Sequence, residues 1–200
     1  MNILSQDDYL ALRGDATVVE RDPHGEKVLL LADGTYIKLF RRKRLISSAA
    51  WSPYARRFAD NAVALAERGI PCPRVIEVFR IRAIARDAVH YHPLEGDTLR
   101  TLIRNGLDAD NTAYLFDAFN RFVRRLHDEG IYFRSLHLGN VVLTPQGELG
   151  LIDIADVRLH RGPLTRFWRK RNLRRMDGIA SERDWLDRAR ILGPNAAGEG

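Results

Sequence analysis

The stretch Tyr132-Phe133-Arg134-Ser135-Leu136-His137-Leu138-Gly139-Asn140-Val141-Val142-Leu143-Thr144-Pro145-Gln146-Gly147-Glu148-Leu149-Gly150-Leu151-Ile152-Asp153 falls into three parts. Tyr132–Asn140 reads as a loop. Val141–Thr144 and Leu149–Ile152 read as two short strands joined by the turn Pro145-Gln146-Gly147, and Asp153 closes the second strand. An asparagine and an aspartate thus stand on neighbouring loops.

Upstream, Asn111–His127 has the spacing of a helix, with Leu115, Phe119, Phe122, Val123 and Leu126 on its buried face and Gly130 to stop it. Thr98–Arg104 reads as a short helix after the polar connector Pro93–Asp97. Downstream, two basic helices are expected near Leu164–Met176 and Ser181–Leu192, and Pro194–Gly200 reads as a frayed tail.

The first part of the chain reads as strands. Ala16–Arg21 ends at the turn cluster Asp22-Pro23-His24-Gly25, and Lys27–Ala32 leads through Asp33-Gly34 to Thr35–Phe40. In that third strand Tyr36, Lys38 and Phe40 share one face, and Ile37 and Leu39 the other. Ser52-Pro53 signals a helix start; Phe58, Ala62, Leu65 and Ala66 recur at helical spacing; Gly69, Pro71 and Pro73 end it. Arg74–Ile81 and Asp87–Tyr91 complete the strands. The expected fold class is α+β. Residues 1–92 form a five-stranded antiparallel sheet with one helix, and residues 93–200 a mainly helical part.

With 200 residues, 45% hydrophobic and 29% charged, the chain can bury a core without disulfides or a structural metal. Cys72 is the single cysteine, which excludes a disulfide framework and a zinc cluster and reads as a small buried hydrophobe. Met1–Asp8 lacks the basic and apolar regions of a signal peptide, and apolar runs such as Val28–Ala32 are too short to span a bilayer. The expected location is cytoplasmic, with contact to a membrane surface left open. The net charge of +6 calls for an anionic partner.

The order of parts points to phosphoryl transfer. A strand lysine, Lys38, can reach phosphates from above, and the oxygens of Asn140 and Asp153 suit Mg²⁺, a hard cation that takes few protein ligands. At these residues the chain resembles a known superfamily. Phe133-Arg134-Ser135-Leu136-His137-Leu138-Gly139-Asn140 is similar to the catalytic loop His-x-Asp-Leu-His-x-Gly-Asn of sugar and small-molecule kinases. Leu151-Ile152-Asp153 resembles the metal-binding motif that follows it. Tyr36-Ile37-Lys38 resembles the strand bearing the ATP lysine, Gly69-Ile70-Pro71-Cys72-Pro73 the turn after the first helix, and His92-Pro93-Leu94-Glu95-Gly96 the hinge.

Ser47-Ser48, Pro53–Phe58 and the basic stretch after Asp153 resemble one branch. It comprises the bacterial lipopolysaccharide core kinases: the heptose and Kdo kinases and the related "toluene tolerance" proteins. The resemblance covers roughly residues 15–176. It implies a bilobal protein-kinase-like fold, ATP and Mg²⁺ as cofactors, and a lipopolysaccharide core precursor as acceptor. It further implies Lys38, Glu95 and Gly96 on the nucleotide, Asn140 and Asp153 on the metal, and a catalytic position at Ser135.

Ser135 departs from the pattern, because the family places there an aspartate that accepts the acceptor's proton. Phe133 replaces the histidine that braces the loop. Two readings follow: slow transfer with His137 or Asp156 as substitute base, or a pseudokinase. Arg21–Glu26, at the place of the phosphate-covering loop, offers Gly25 alone. The helix glutamate that pairs with the strand lysine has no obvious counterpart, since Phe58 or Asn61 occupies its slot with Asp60 beside it. Arg41–Arg44, and Arg166, Arg169, Lys170, Arg171, Arg174 and Arg175 among Phe167, Trp168 and Leu173, read either as solvated faces or as contacts to an anionic membrane surface. No nucleic-acid module is present, so nucleic acid is the weaker partner.

Overall fold

A computed structural model of the chain describes residues 1–42 and 53–193. The chain divides into two compact units, Met1–Leu94 and Glu95–Gly200. Lys43, Arg44, Ser47-Ser48, Ser52 and the tail Pro194–Gly200 lie outside the described residues.

The first unit is built on six strands: β1 (Asn2–Leu4), β2 (Thr17–Asp22), β3 (Gly25–Leu30), β4 (Tyr36–Arg41), β5 (Arg74–Ile81) and β6 (Arg86–His92). Their order across the sheet is β1-β5-β6-β4-β3-β2. All neighbours are antiparallel except β1, which runs parallel to β5. Among the described residues two helices join it, α1 (Gln6–Gly14) and α2 (Tyr54–Ala66). The sequence reading of five strands and one helix is therefore corrected: the N-terminus adds β1 and α1. Its signal was present, since Ser5 Oγ accepts from the Asp8 amide at 3.1 Å and donates to the Asp8 carboxylate at 2.6 Å, closing the first turn.

The alternation in β4 sorts the core. Ile37 and Leu39 join Leu29, Phe79, Ile81, Ala88 and Tyr9 of α1 in one buried cluster. On the other face, Phe58 of α2 packs its ring against Phe40 and Tyr91, with centroids 6.4 and 5.3 Å apart. α2 buries Ala55, Phe58, Ala62 and Leu65, a stripe at helical spacing. A turn forms at Asp33-Gly34, but in place of the expected two-residue hairpin the Leu31 amide donates to the Thr35 carbonyl at 2.8 Å and closes a three-residue loop over 32–34. Asp33 Oδ1 accepts from the Thr35 amide at 2.9 Å, and Gly34 takes φ 82°, a left-handed conformation that its missing Cβ allows.

The second unit begins with β7 (Asp97–Thr98) and continues with α3 (Leu99–Arg104), α4 (Ala109–Asp128), β8 (Ile131–Phe133), β9 (Val141–Leu143), β10 (Leu149–Leu151), β11 (Val157–Leu159), α5 (Arg166–Asp177) and α6 (Arg188–Leu192). Asp108 caps α4 by accepting from the Asn111 amide at 2.7 Å. The expected apolar face is buried, together with two polar residues, Asn120 and His127. The expected helix over Ser181–Leu192 is instead a 3-10 turn, Arg183–Trp185, followed by α6. Asn120 imposes the break. Its amide donates to the Trp185 carbonyl at 3.0 Å and accepts from the Asp187 amide at 2.7 Å, while Asp187 caps α6. The fold class is α+β: a sheet unit with helices followed by a mainly helical unit, consistent with a bilobal kinase-like plan.

Candidate functional site

Two antiparallel ladders hold the loop between Phe133 and Asn140. β8 pairs with β11, placing Phe133 opposite Val157, so that Ser135 and Asp156 come together just beyond the end of the ladder. β9 pairs with β10, placing Val141 opposite Leu151; the Ile152 amide extends this ladder by donating to the Asn140 carbonyl at 3.0 Å. Asn140 and Asp153 therefore stand at the same end of one hairpin. Within the loop, the Leu136 amide donates to the Phe133 carbonyl at 3.0 Å and the Asn140 amide to the His137 carbonyl at 2.9 Å.

Ser135 Oγ donates to Asp156 Oδ2 in a close contact. The other oxygen, Oδ1, is buried and has no hydrogen-bond partner. Burial pushes the Asp156 carboxyl above the usual carboxylate range; the Ser135 hydrogen bond opposes that rise, and the charge of nearby Asp153 adds to it. Asn140 is buried, and its Nδ2 donates to the Ser135 carbonyl at 3.0 Å. With the amide nitrogen committed to the loop, the side-chain oxygen is the end available to a cation. Asp153 is exposed and sits in the left-handed region, with φ 56° and ψ 40°. For a residue with a Cβ this costs on the order of 1 kcal/mol, and such positions cluster at functional sites. No group of three or more His, Cys, Asp or Glu side chains suited to a metal occurs among the described residues. Two side-chain oxygens with phosphate oxygens completing the shell is the pattern that fits Mg²⁺.

His137 is half-buried, and its Nδ1 accepts from Arg100 Nη2 at 3.2 Å. Burial, then the Arg100 charge, holds the imidazole below its ordinary pKa. Its basic lone pair faces a guanidinium, which opposes proton uptake. Arg100 is fixed in turn by the buried Glu182, at 2.6 Å, whose second oxygen accepts from the Leu138 amide at 2.9 Å. Gly139 makes room for this arrangement, since a Cβ there would lie 2.7 Å from the Arg100 guanidinium.

The histidine brace expected before the loop is supplied from elsewhere. Asn172 of α5 pairs with the main chain of Phe133 in both directions: Oδ1 accepts from the Phe133 amide at 3.3 Å, and Nδ2 donates to its carbonyl. The same Oδ1 accepts from His127 Nε2 of α4 at 3.0 Å. Sequence reasoning missed His127, Asn172, Arg100 and Glu182. For the first two the signal was polar residues on otherwise buried helix faces.

Gly96 takes φ 119°, and a Cβ there would fall 2.1 Å from the Leu143 carbonyl oxygen. Its observed work is to let the chain pass close to β9 on entering β7. Glu95 beside it is exposed. Lys38 belongs to the first unit, where it is buried in β4 with its amine 5.9 Å from the Phe40 ring centroid. Of the three residues weighed as its helix partner, Phe58 is buried among aromatic rings and Asp60 accepts from Arg56 at 3.0 Å on an exposed face, while Asn61 is half-buried. The hairpin at Arg21–Glu26 is tight, with Asp22 opposite Gly25, and Glu26 is held by Arg13 at 2.7 Å.

No family model matches the chain. Over 114 residues it is 31% identical to 3-deoxy-D-manno-octulosonic acid kinase from Xylella fastidiosa (strain M12). The match takes in 56% of this chain and 44% of that kinase, so the chain spans less than half of the relative's length.

Proposed function

We propose that the chain is a kinase-like phosphotransferase that moves the γ-phosphoryl group of ATP, with Mg²⁺, to a hydroxyl of a lipopolysaccharide core sugar at the cytoplasmic face of the inner membrane. The observation that supports this most is the grouping of Ser135, Asn140, Asp153 and Asp156 by two short ladders. It is joined by the likeness to a kinase whose name specifies a sugar acid. Asn140 and Asp153 would hold the cation, and Lys38 the phosphates. Bound there, Mg²⁺ would neutralise charge on the transferring group. Arg100 and Glu182 hold the His137–Leu138 segment, so His137 positions the loop rather than accepting a proton.

α5 supports a docking role toward an anionic surface. Arg169 is buried and bonded to Asp128, and Arg166 donates to the Leu192 and Gly193 carbonyls. Lys170, Arg171, Arg174 and Arg175 are exposed, and Phe167 is 60% exposed beside them. An exposed ring among cations suits a lipid interface. No described helix is long and apolar enough to cross a membrane.

Ser135 at the position of the family's aspartate favours a second reading, a pseudokinase that binds nucleotide without transferring phosphate. A thermal shift followed by a transfer assay separates the two. Millimolar Mg·ATP raises the melting temperature of the wild type by a few degrees, about what tenfold excess over Kd gives, and Asp153→Ala removes the shift. A shift with no transfer selects the pseudokinase, and no shift in the wild type removes both readings.

A further inference from the structure

We propose that Asp156, acting through the hydroxyl of Ser135, is the proton-accepting group of this loop, taking over the task for which the related kinases use an aspartate at position 135. The inference rests on the phosphotransferase reading and assigns the residue that reading leaves open. The geometry supports it in three ways. Ser135 Oγ already donates to Asp156 Oδ2, so the hydroxyl oxygen has lone pairs turned toward other donors while its proton is committed to a carboxylate. Asp156 Oδ1 is buried and has no hydrogen-bond partner, and burial is the largest influence on the carboxylate, outweighing the Ser135 hydrogen bonds that oppose it. The β8–β11 ladder fixes the pair, since Phe133 opposite Val157 brings residues 135 and 156 together through the backbone. His137, the other candidate, turns its lone pair to Arg100.

The step balances. The acceptor oxygen bonds to the γ-phosphorus as the bond from that phosphorus to the bridging oxygen of the leaving ADP breaks. The acceptor's proton passes to Ser135 Oγ while the Ser135 proton passes to Asp156 Oδ2. Asp156 ends as a neutral acid and returns the proton to water after the product leaves. Serine alone is no base at neutral pH; a serine backed by a carboxylate of raised basicity is one.

Two measurements test this. The first needs no nucleotide: the Asp156 side-chain carbon is titrated by NMR in the wild type and in Ser135→Ala. The groups that act on Asp156 are Ser135 and Arg134 from the loop, which lower its pKa, and Asp153 from its own segment, which raises it. The expected result is a titration above the usual aspartate range that moves further up when Ser135 is removed. A titration in the ordinary range, unmoved by Ser135→Ala, overturns the pair as a unit.

The second measures Mg·ATP binding and phosphate transfer in the wild type, Asp156→Asn, Asp156→Ser and the exchange Ser135→Asp/Asp156→Ser. The expected result is unchanged nucleotide binding throughout. Transfer falls by roughly 10²–10⁴-fold in the two single variants and recovers at least tenfold in the exchange. Full transfer by Asp156→Asn, or nucleotide binding without transfer in the wild type, overturns the inference and leaves nucleotide binding standing. No nucleotide binding in the wild type overturns the phosphotransferase reading itself.

Discussion

Asn172 gives both ends of its amide to the main chain of Phe133 and shares its oxygen with His127, all in buried surroundings. Asn172→Ala would leave the Phe133 amide and His127 Nε2 without partners, while the Phe133 carbonyl keeps only the Leu136 amide. An orphaned buried group costs roughly 1–3 kcal/mol, so the variant is expected to lose several kcal/mol in chemical denaturation; a loss below 1 kcal/mol would mean that the brace is dispensable. The same scale explains what the sequence could and could not tell. Motif and spacing single out Ser135, Asn140 and Asp153, and the structure brings the three near one end of the β9–β10 hairpin. Asn172 and His127 were not legible, because a polar residue on a buried helix face does not name its partner. Phe133 announced only that a histidine was missing from its usual place, and the structure supplies the replacement from two helices.

At the scale of elements, β8 and β11 decide where the loop goes. Three residues each, separated by a hairpin and two 3-10 turns, they are too short for a period to reveal, and sequence reading left Tyr132–Asn140 as loop. The hairpin β9–β10 was legible because a Pro-Gln-Gly turn separates two apolar runs. The final helix was not, because its interruption depends on Asn120, 65 residues before Trp185.

α4 provides a pH test. Burial, the largest cause, pushes His127 down from 6.5 to about 4. The histidine is therefore neutral in the fold, and its stabilising share is complete above about pH 6.5. As pH falls toward 4, the unfolded chain takes up a proton that the fold refuses, and stability drops. Between pH 7 and pH 5 the share attributable to His127 is about 2 kcal/mol. Urea denaturation at both pH values checks it: His127→Gln is expected to lose less stability than the wild type over that interval, and equal losses would contradict the assignment. Gly96 offers a second test at this scale. Gly96→Ala drives a methyl into the Leu143 carbonyl at a left-handed φ, so it destabilises the β7–β9 contact, and an unchanged melting temperature would contradict that packing.

For the molecule as a whole, the charge of +6 is not spread evenly in purpose. Arg169, Arg100 and Arg13 are tied to carboxylates within the fold, whereas Lys170, Arg171, Arg174 and Arg175 line an exposed stretch of α5 with Phe167. Sequence reading counted Arg166 and Arg169 with the surface cations. The structure turns both inward, which a run of arginines cannot foretell. Sedimentation with anionic vesicles is expected to pull down the wild type at low salt. Exchange of Lys170, Arg171, Arg174 and Arg175 for glutamine lowers that binding at least tenfold, about 1 kcal/mol per cation; equal binding by the two proteins would exclude α5 as the contact.

The most direct test of phosphotransfer is ³¹P NMR of Mg·ATP incubated with the wild-type protein and a lipid-linked 3-deoxy-D-manno-octulosonic acid acceptor. A growing phosphomonoester signal on the sugar, matched by ADP and absent with Asp153→Ala, is the predicted result. An ATP spectrum that stays unchanged, or the same ADP production from Asp153→Ala, would contradict the account.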